Sequence, residues 1–104
     1  MRIKRVTDAC IEFDTGDILR SWHRPVCCEE NFASFSELED IARETEFQEP
    51  LLFEAVCGGF RCGNEGKMFF IPCYSEQNGC YTSDVDIEFN GKCVLTCQGT
   101  EVSV

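Results

Sequence analysis

The sequence has few basic residues and a single histidine. Only 9 of its 104 residues are Lys or Arg, against 19 Asp or Glu, so the formal net charge is −10 at pH 7. Such a charge repels nucleic-acid phosphates and anionic lipid surfaces, and we expect neither direct nucleic-acid binding nor membrane binding. A protein partner with a basic surface is the expected partner, and solubility alone is the other explanation of the charge.

Long apolar runs are also missing from the sequence. No stretch approaches the roughly 20 consecutive apolar residues that a membrane-spanning helix requires. Residues 1–8 place charged side chains where a secretory signal needs an unbroken apolar run. We therefore expect a cytoplasmic protein.

Nine cysteines are present, but none of them forms a Cys-x2-Cys zinc knuckle. In a reducing cytosol, free cysteines behave as small buried hydrophobes, so core packing without any cofactor is the first interpretation. Zinc is the alternative cofactor. Its candidate ligands are the sole histidine, His23, and four cysteines that the sheet would have to bring together: Cys27, Cys28, Cys57 and Cys62.

Catalysis by a cysteine nucleophile requires a thiolate with a nearby base. The candidate pairing is Cys27 or Cys28 with His23, although Glu29 and Glu30 would raise the pKa of either thiol. No stretch matches a catalytic or cofactor motif, so we do not favour an enzyme. A thiol-dependent function at this position stays as an alternative.

Apolar and polar residues alternate at the start of the chain, which is the period of a half-buried strand. Ala9, Ile11 and Phe13 share one face of this strand, and Asp14-Thr15-Gly16-Asp17 has the composition of a hairpin turn. Residues 18–23 form the predicted return strand. Further strands are predicted at 51–57, 68–74, 80–89 and 92–98, with an edge position or a bulge at Pro72.

A helix is predicted between these two groups of strands. Ser36 and Glu39 have capping-box spacing, and Leu38, Ile41 and Ala42 continue at helical spacing. We predict one amphipathic helix over 36–46. The expected architecture is a single α+β domain over 1–104, with an antiparallel sheet of about six strands. The sheet combines an N-terminal hairpin with a C-terminal meander, and the helix packs on one face.

The last hairpin has two alternative registers. A two-residue Asn90-Gly91 loop would place the apolar side chains after it on the acidic face of strand 80–89. A three-residue loop with Gly91 in a bulge instead pairs Ile87 with Cys93 and Val85 with Leu95. We predict the three-residue loop, with Cys93 and Cys97 in the core.

Two separated motifs resemble a family of small uncharacterised proteins from phages and bacteria. The motifs are His23-x3-Cys27-Cys28-Glu29 and Ser75-Glu76-Gln77-Asn78-Gly79-Cys80-Tyr81-Thr82-Ser83-Asp84-Val85-Asp86. Their order along the chain is the order of that family. The chain departs from the family at Val26, where an acidic residue is common, and at Cys80, where tyrosine is common.

The resemblance implies a phage or prophage origin and an accessory or interaction protein with an acidic surface, without an established activity. It also implies one functional patch built from both motifs. The patch comprises His23, Cys27, Cys28, Glu29, Asn78, Gly79 and Tyr81.

Overall fold

Ten β-strands make up most of the computed structural model, which describes residues 1–8, 10–22, 30–38, 44–77 and 82–102. They form two sheets of five strands each. The strands are β1 (Ile3–Val6), β2 (Cys10–Phe13), β3 (Ile18–Trp22), β4 (Glu30–Ala33), β5 (Leu52–Val56), β6 (Gly59–Asn64), β7 (Lys67–Glu76), β8 (Asp84–Phe89), β9 (Lys92–Gln98) and β10 (Thr100–Val102).

The first sheet is antiparallel, with the strand order β1-β2-β3-β8-β9. Strands β2 and β3 alternate as the sequence predicts, and they form the predicted N-terminal hairpin. One face carries the buried apolar side chains of Ile11, Phe13, Leu19, Val85 and Ile87. The opposite face carries the charged side chains.

The second sheet is organised around the long strand β7. Residues 67–72 of β7 pair with β6, which in turn pairs with β5. The end of β7 pairs with β4 on one side and, in parallel, with β10. One apolar core cluster lies between the two sheets, and Phe35 and Phe60 meet edge to face within it at a ring distance of 6.4 Å.

Pro72 lies where β4 stops pairing with β7. The neighbouring Cys73 N–H donates to the Gly58 carbonyl oxygen at 2.9 Å, on the side of β6. Successive residues of a strand point to opposite edges, so the Pro72 nitrogen faces the other edge. The last β4 residue, Ala33, pairs with Cys73. The Ser34 N–H still donates to the Pro72 carbonyl oxygen at 2.8 Å, and Pro72 pairs with Gly59 of β6 without a bulge. The predicted edge position or bulge is therefore wrong, because β7 is a central strand and the missing N–H falls where the pairing with β4 ends.

The predicted α+β class is wrong, because the described residues form an all-β structure without an α-helix. Within the predicted helix over 36–46, the chain makes one 3₁₀ turn at Phe35–Leu38 and is irregular from Thr45 onward. Residues 39–43 lie outside the described part. No described helix has the length and apolar character that would let it cross a membrane.

Tertiary contacts explain why the helix pattern fails at its C-terminal end. The Phe47 ring is buried between Phe13 and Phe69, with ring distances of 6.0 and 5.8 Å. The N-terminal ammonium of Met1 donates to Glu46 at 3.2 Å and to the Phe47 carbonyl oxygen at 2.8 Å. The pKa of the Glu46 carboxyl is lowered, mainly by the hydrogen bond from the Met1 ammonium and next by the hydrogen bond from Arg2. Core burial of Phe47 outweighs the weak local preference for helix.

The predicted three-residue loop of the last hairpin is also wrong. Asn90 and Gly91 form a two-residue turn with positive φ angles of 54° and 82°. Cys93 lies opposite Glu88, and a bulge follows before Leu95 pairs with Ile87. The bulge returns the apolar side chains to the core face, so Cys97 is buried whereas Cys93 is exposed.

Gly99 allows the chain to pass from the first sheet to the second between β9 and β10. A Cβ atom at this position would lie 2.8 Å from the Tyr74 carbonyl carbon and 3.2 Å from the Ser75 nitrogen. Only glycine permits this approach to the β7 backbone. The end of β9 is thereby held against the middle of the second sheet.

Candidate binding cleft

The predicted patch lies outside the described residues. It comprises His23, Cys27, Cys28, Glu29, Asn78, Gly79 and Tyr81. The strands adjoining both motifs are described: Glu30 begins β4 and Glu76 ends β7, and these two residues are direct register partners. Both motif segments are therefore attached at the same end of the second sheet.

The two described candidates for zinc binding are not brought together. Cys57 is exposed in the turn after β5, whereas Cys62 is buried inside β6. With a rise of about 3.3 Å per residue, Cys62 lies about 10 Å along the strand from that turn. Burial raises the pKa of the Cys62 thiol to about 12, which disfavours the thiolate that zinc requires. Among the described residues, no group of three or more His, Cys, Asp or Glu suits a metal ion.

A cleft of about 480 Å³ opens at the end of the molecule where both motif segments are attached. It lies between the end of β3 and the start of β4, and none of the described residues that line it is Lys or Arg. Three carboxylates and three hydroxyl groups line it, from Asp8, Glu30 and Glu76 and from Ser21, Ser34 and Ser36. We call these six residues the acidic cleft.

Glu30 and Glu76 form a pair of like charges within the acidic cleft. They lie directly opposite each other on β4 and β7, an arrangement that destabilises a sheet. Neither carboxylate forms an ion pair with any described residue. By contrast, Glu88 on the first sheet lies opposite Arg20 and pairs with its guanidinium at 2.8 Å. In the described part of the chain, no Lys or Arg side chain therefore neutralises the carboxylates of Glu30 and Glu76.

A buried polar network lies beneath the cleft and holds its strands together. The Asn31 amide nitrogen donates to the carbonyl oxygens of Thr82 at 2.9 Å and Asp84 at 3.0 Å. The Asn31 amide oxygen accepts a hydrogen bond from the Ser75 hydroxyl, which in turn accepts one from the Gln77 amide. All buried side-chain polar atoms in the described part have partners. Because all of its polar groups are hydrogen-bonded, this network forms a rigid base, which we call the floor of the cleft.

Comparison with known proteins gives no further assignment. No protein-family model matches the sequence, and neither a curated protein nor a solved structure matches the chain.

None of the six residues of the acidic cleft was predicted from sequence. They come from four separate parts of the chain, and only the pairing of β4 with β7 brings Glu30 beside Glu76. One sequence signal pointed toward the site: Glu30 directly follows the first motif, and Glu76 lies within the second.

Proposed function

We propose that this protein is a small accessory protein of phage or prophage origin that binds a basic segment of a protein partner in its acidic cleft, in the cytoplasm. The origin rests on the resemblance of the two sequence motifs. The chemistry of the ligand rests on the carboxylates of the cleft. The net charge of −10 adds long-range attraction for a basic partner and repulsion of nucleic acids.

The opposed pair of Glu30 and Glu76 carries the proposal. Facing carboxylates that have no cation among the described residues cost stability, and such costs are typical of functional sites. A Lys or Arg side chain placed between them would remove the repulsion and gain charge-assisted hydrogen bonds. The serine hydroxyls beside the carboxylates provide further acceptors for a guanidinium or an ammonium group.

The rigid floor supports binding of an extended segment. Asn31 anchors β4 to the chain before β8 through two carbonyl oxygens, so the cleft is formed before a ligand arrives. A preformed site loses less conformational entropy on binding than a mobile one. Glu30 is exposed and Glu76 is half-buried, so both are accessible to a partner.

The test is the affinity for a short fluorescent peptide rich in Arg and Lys, measured by anisotropy. Replacing Glu30→Gln or Glu76→Gln removes one carboxylate without changing the side-chain shape. We expect each variant to bind about 5- to 10-fold more weakly, the effect of losing one charged contact of roughly 1 kcal/mol. Thermal stability should not fall, because each change relieves the like-charge pair.

Glu65→Gln is the matched control, because it removes the same charge from the exposed turn before β7. Glu76 lies about 30 Å away along that strand. The peptide affinity of the Glu65→Gln variant should stay within about twofold of wild type. This result would separate the effect of a local contact from the effect of net charge. Equal weakening by all three substitutions would reject the cleft as the site, and so would absence of peptide binding by the wild-type protein.

A further inference from the structure

Two buried thiols meet between the sheets. The sulfur atoms of Cys73 on β7 and Cys97 on β9 lie 3.5 Å apart. Cys73 has no exposed surface and Cys97 is 3% exposed. A disulfide needs its sulfur atoms about 2.05 Å apart, so the pair is about 1.5 Å from bonding distance.

The fold holds these two strands close at this point. Gly99 lies two residues after Cys97 and packs directly on the backbone of Tyr74, the residue after Cys73. The Cys73 N–H is fixed by the Gly58 carbonyl oxygen. These backbone contacts hold the two strands together next to both cysteines.

Within the pair, Cys97 is the thiol that lies closer to solvent. It lines a shallow groove between the β5–β6 turn and the corner at Gly99, together with the exposed Cys57. The hydrogen bond between the two thiols lowers the pKa of Cys97. The same contact raises the pKa of Cys73, and burial raises it further. Of the two thiols, Cys97 is therefore the one whose thiolate form is favoured.

We propose that Cys73 and Cys97 form an oxidisable dithiol that hydroperoxides convert into a disulfide joining the two sheets. The Cys97 thiolate attacks one peroxide oxygen and becomes a sulfenic acid, and the other oxygen leaves as hydroxide or alkoxide. The Cys73 sulfur then attacks the Cys97 sulfur, the S–S bond forms, and the sulfenic oxygen leaves as water. Two electrons pass from the two thiols to the peroxide. The proposal is independent of ligand binding at the acidic cleft.

The test treats the reduced protein with hydrogen peroxide, alkylates the remaining thiols after denaturation and maps disulfides by mass spectrometry of peptides. We expect a Cys73–Cys97 disulfide and a mass loss of two hydrogen atoms. The closed loop should raise Tm by about 10 °C, and dithiothreitol should reverse the increase.

Cys93→Ser is the matched control, because Cys93 lies exposed on the same strand as Cys97. This variant should form the disulfide as the wild type does, whereas Cys97→Ser should not gain Tm on oxidation. Full alkylation of both Cys73 and Cys97 after peroxide treatment of the wild-type protein would overturn the proposal. Exclusive oxidation of Cys57 or Cys93 would overturn it equally.

Discussion

Replacing Phe60→Ala is expected to lower the free energy of unfolding by about 3–5 kcal/mol. The Phe60 ring has no exposed surface and packs edge to face on Phe35 in the centre of the core. Its removal loses the transfer free energy of the ring and leaves a cavity that the two sheets cannot close. The total stability of a domain of this size is about 5–15 kcal/mol, so a large part of it should be lost. Urea denaturation followed by circular dichroism measures the change.

Phe70→Ala is the matched control for this prediction. Phe70 lies on β7, opposite Arg61, the residue next to Phe60, but on the outer face of the sheet, where it is 46% exposed. Its truncation should cost less than about 1 kcal/mol. Equal losses for the two phenylalanines would contradict the assignment of inner and outer faces, and with it the two-sheet architecture.

Replacing Asn31→Ala is expected to cost about 2–4 kcal/mol. Asn31 is 7% exposed, and its amide group donates to the Thr82 and Asp84 carbonyl oxygens and accepts from the Ser75 hydroxyl. Alanine would leave these groups buried without their partner, and an unsatisfied buried polar group costs more than the hydrogen bond contributed. Thermal and urea denaturation should both show the loss.

Thr82→Ala distinguishes loss of the network from a general local effect. Thr82 is exposed, and it supplies its carbonyl oxygen to the network, which the substitution retains. This variant should therefore lose less than about 1 kcal/mol. If Asn31→Ala proves as mild as Thr82→Ala, the network does not hold the floor of the cleft.

The strands predicted at 18–23, 51–57, 68–74, 80–89 and 92–98 correspond to β3, β5, β7, β8 and β9, whereas β1, β4, β6 and β10 were not predicted. The alternation of Ile11 and Phe13 and the turn after them identify β2 and β3. By contrast, β6 contains Gly59 and Gly63. A Cβ atom added at either position would lie within 2.5 Å of a β7 carbonyl oxygen. These glycines are required by close strand contact, but in the sequence they read as turn residues.

The helix and the hairpin loop were predicted wrongly for two different physical reasons. The capping-box pattern at Ser36 is a local signal worth about 1 kcal/mol, whereas burying Phe47 in the core contributes about 2 kcal/mol or more. In the last hairpin, the alternation of Val85 and Ile87 predicts one continuous register, which a bulge interrupts. The bulge after Cys93 lets a two-residue turn and a buried Cys97 coexist.

The composition of the acidic cleft could not be predicted from the sequence. Sequence motifs pointed to the segments next to Glu30 and Glu76, and the register of β4 with β7 places these two residues opposite each other. Asp8 and Ser21 could not be anticipated, because they belong to the other sheet and reach the cleft only through the packing of the two sheets. Contacts between sheets leave no period in the sequence.

The most direct test of the proposed function is a map of amide chemical shifts. The ¹⁵N-labelled protein would be titrated with the unlabelled Arg- and Lys-rich peptide at low and at moderate salt. We predict saturable shifts concentrated at the six residues of the acidic cleft, with weaker binding at higher salt. Shifts centred on the opposite end of β7 near Glu65, or no shifts at saturating peptide, would contradict the proposed binding function.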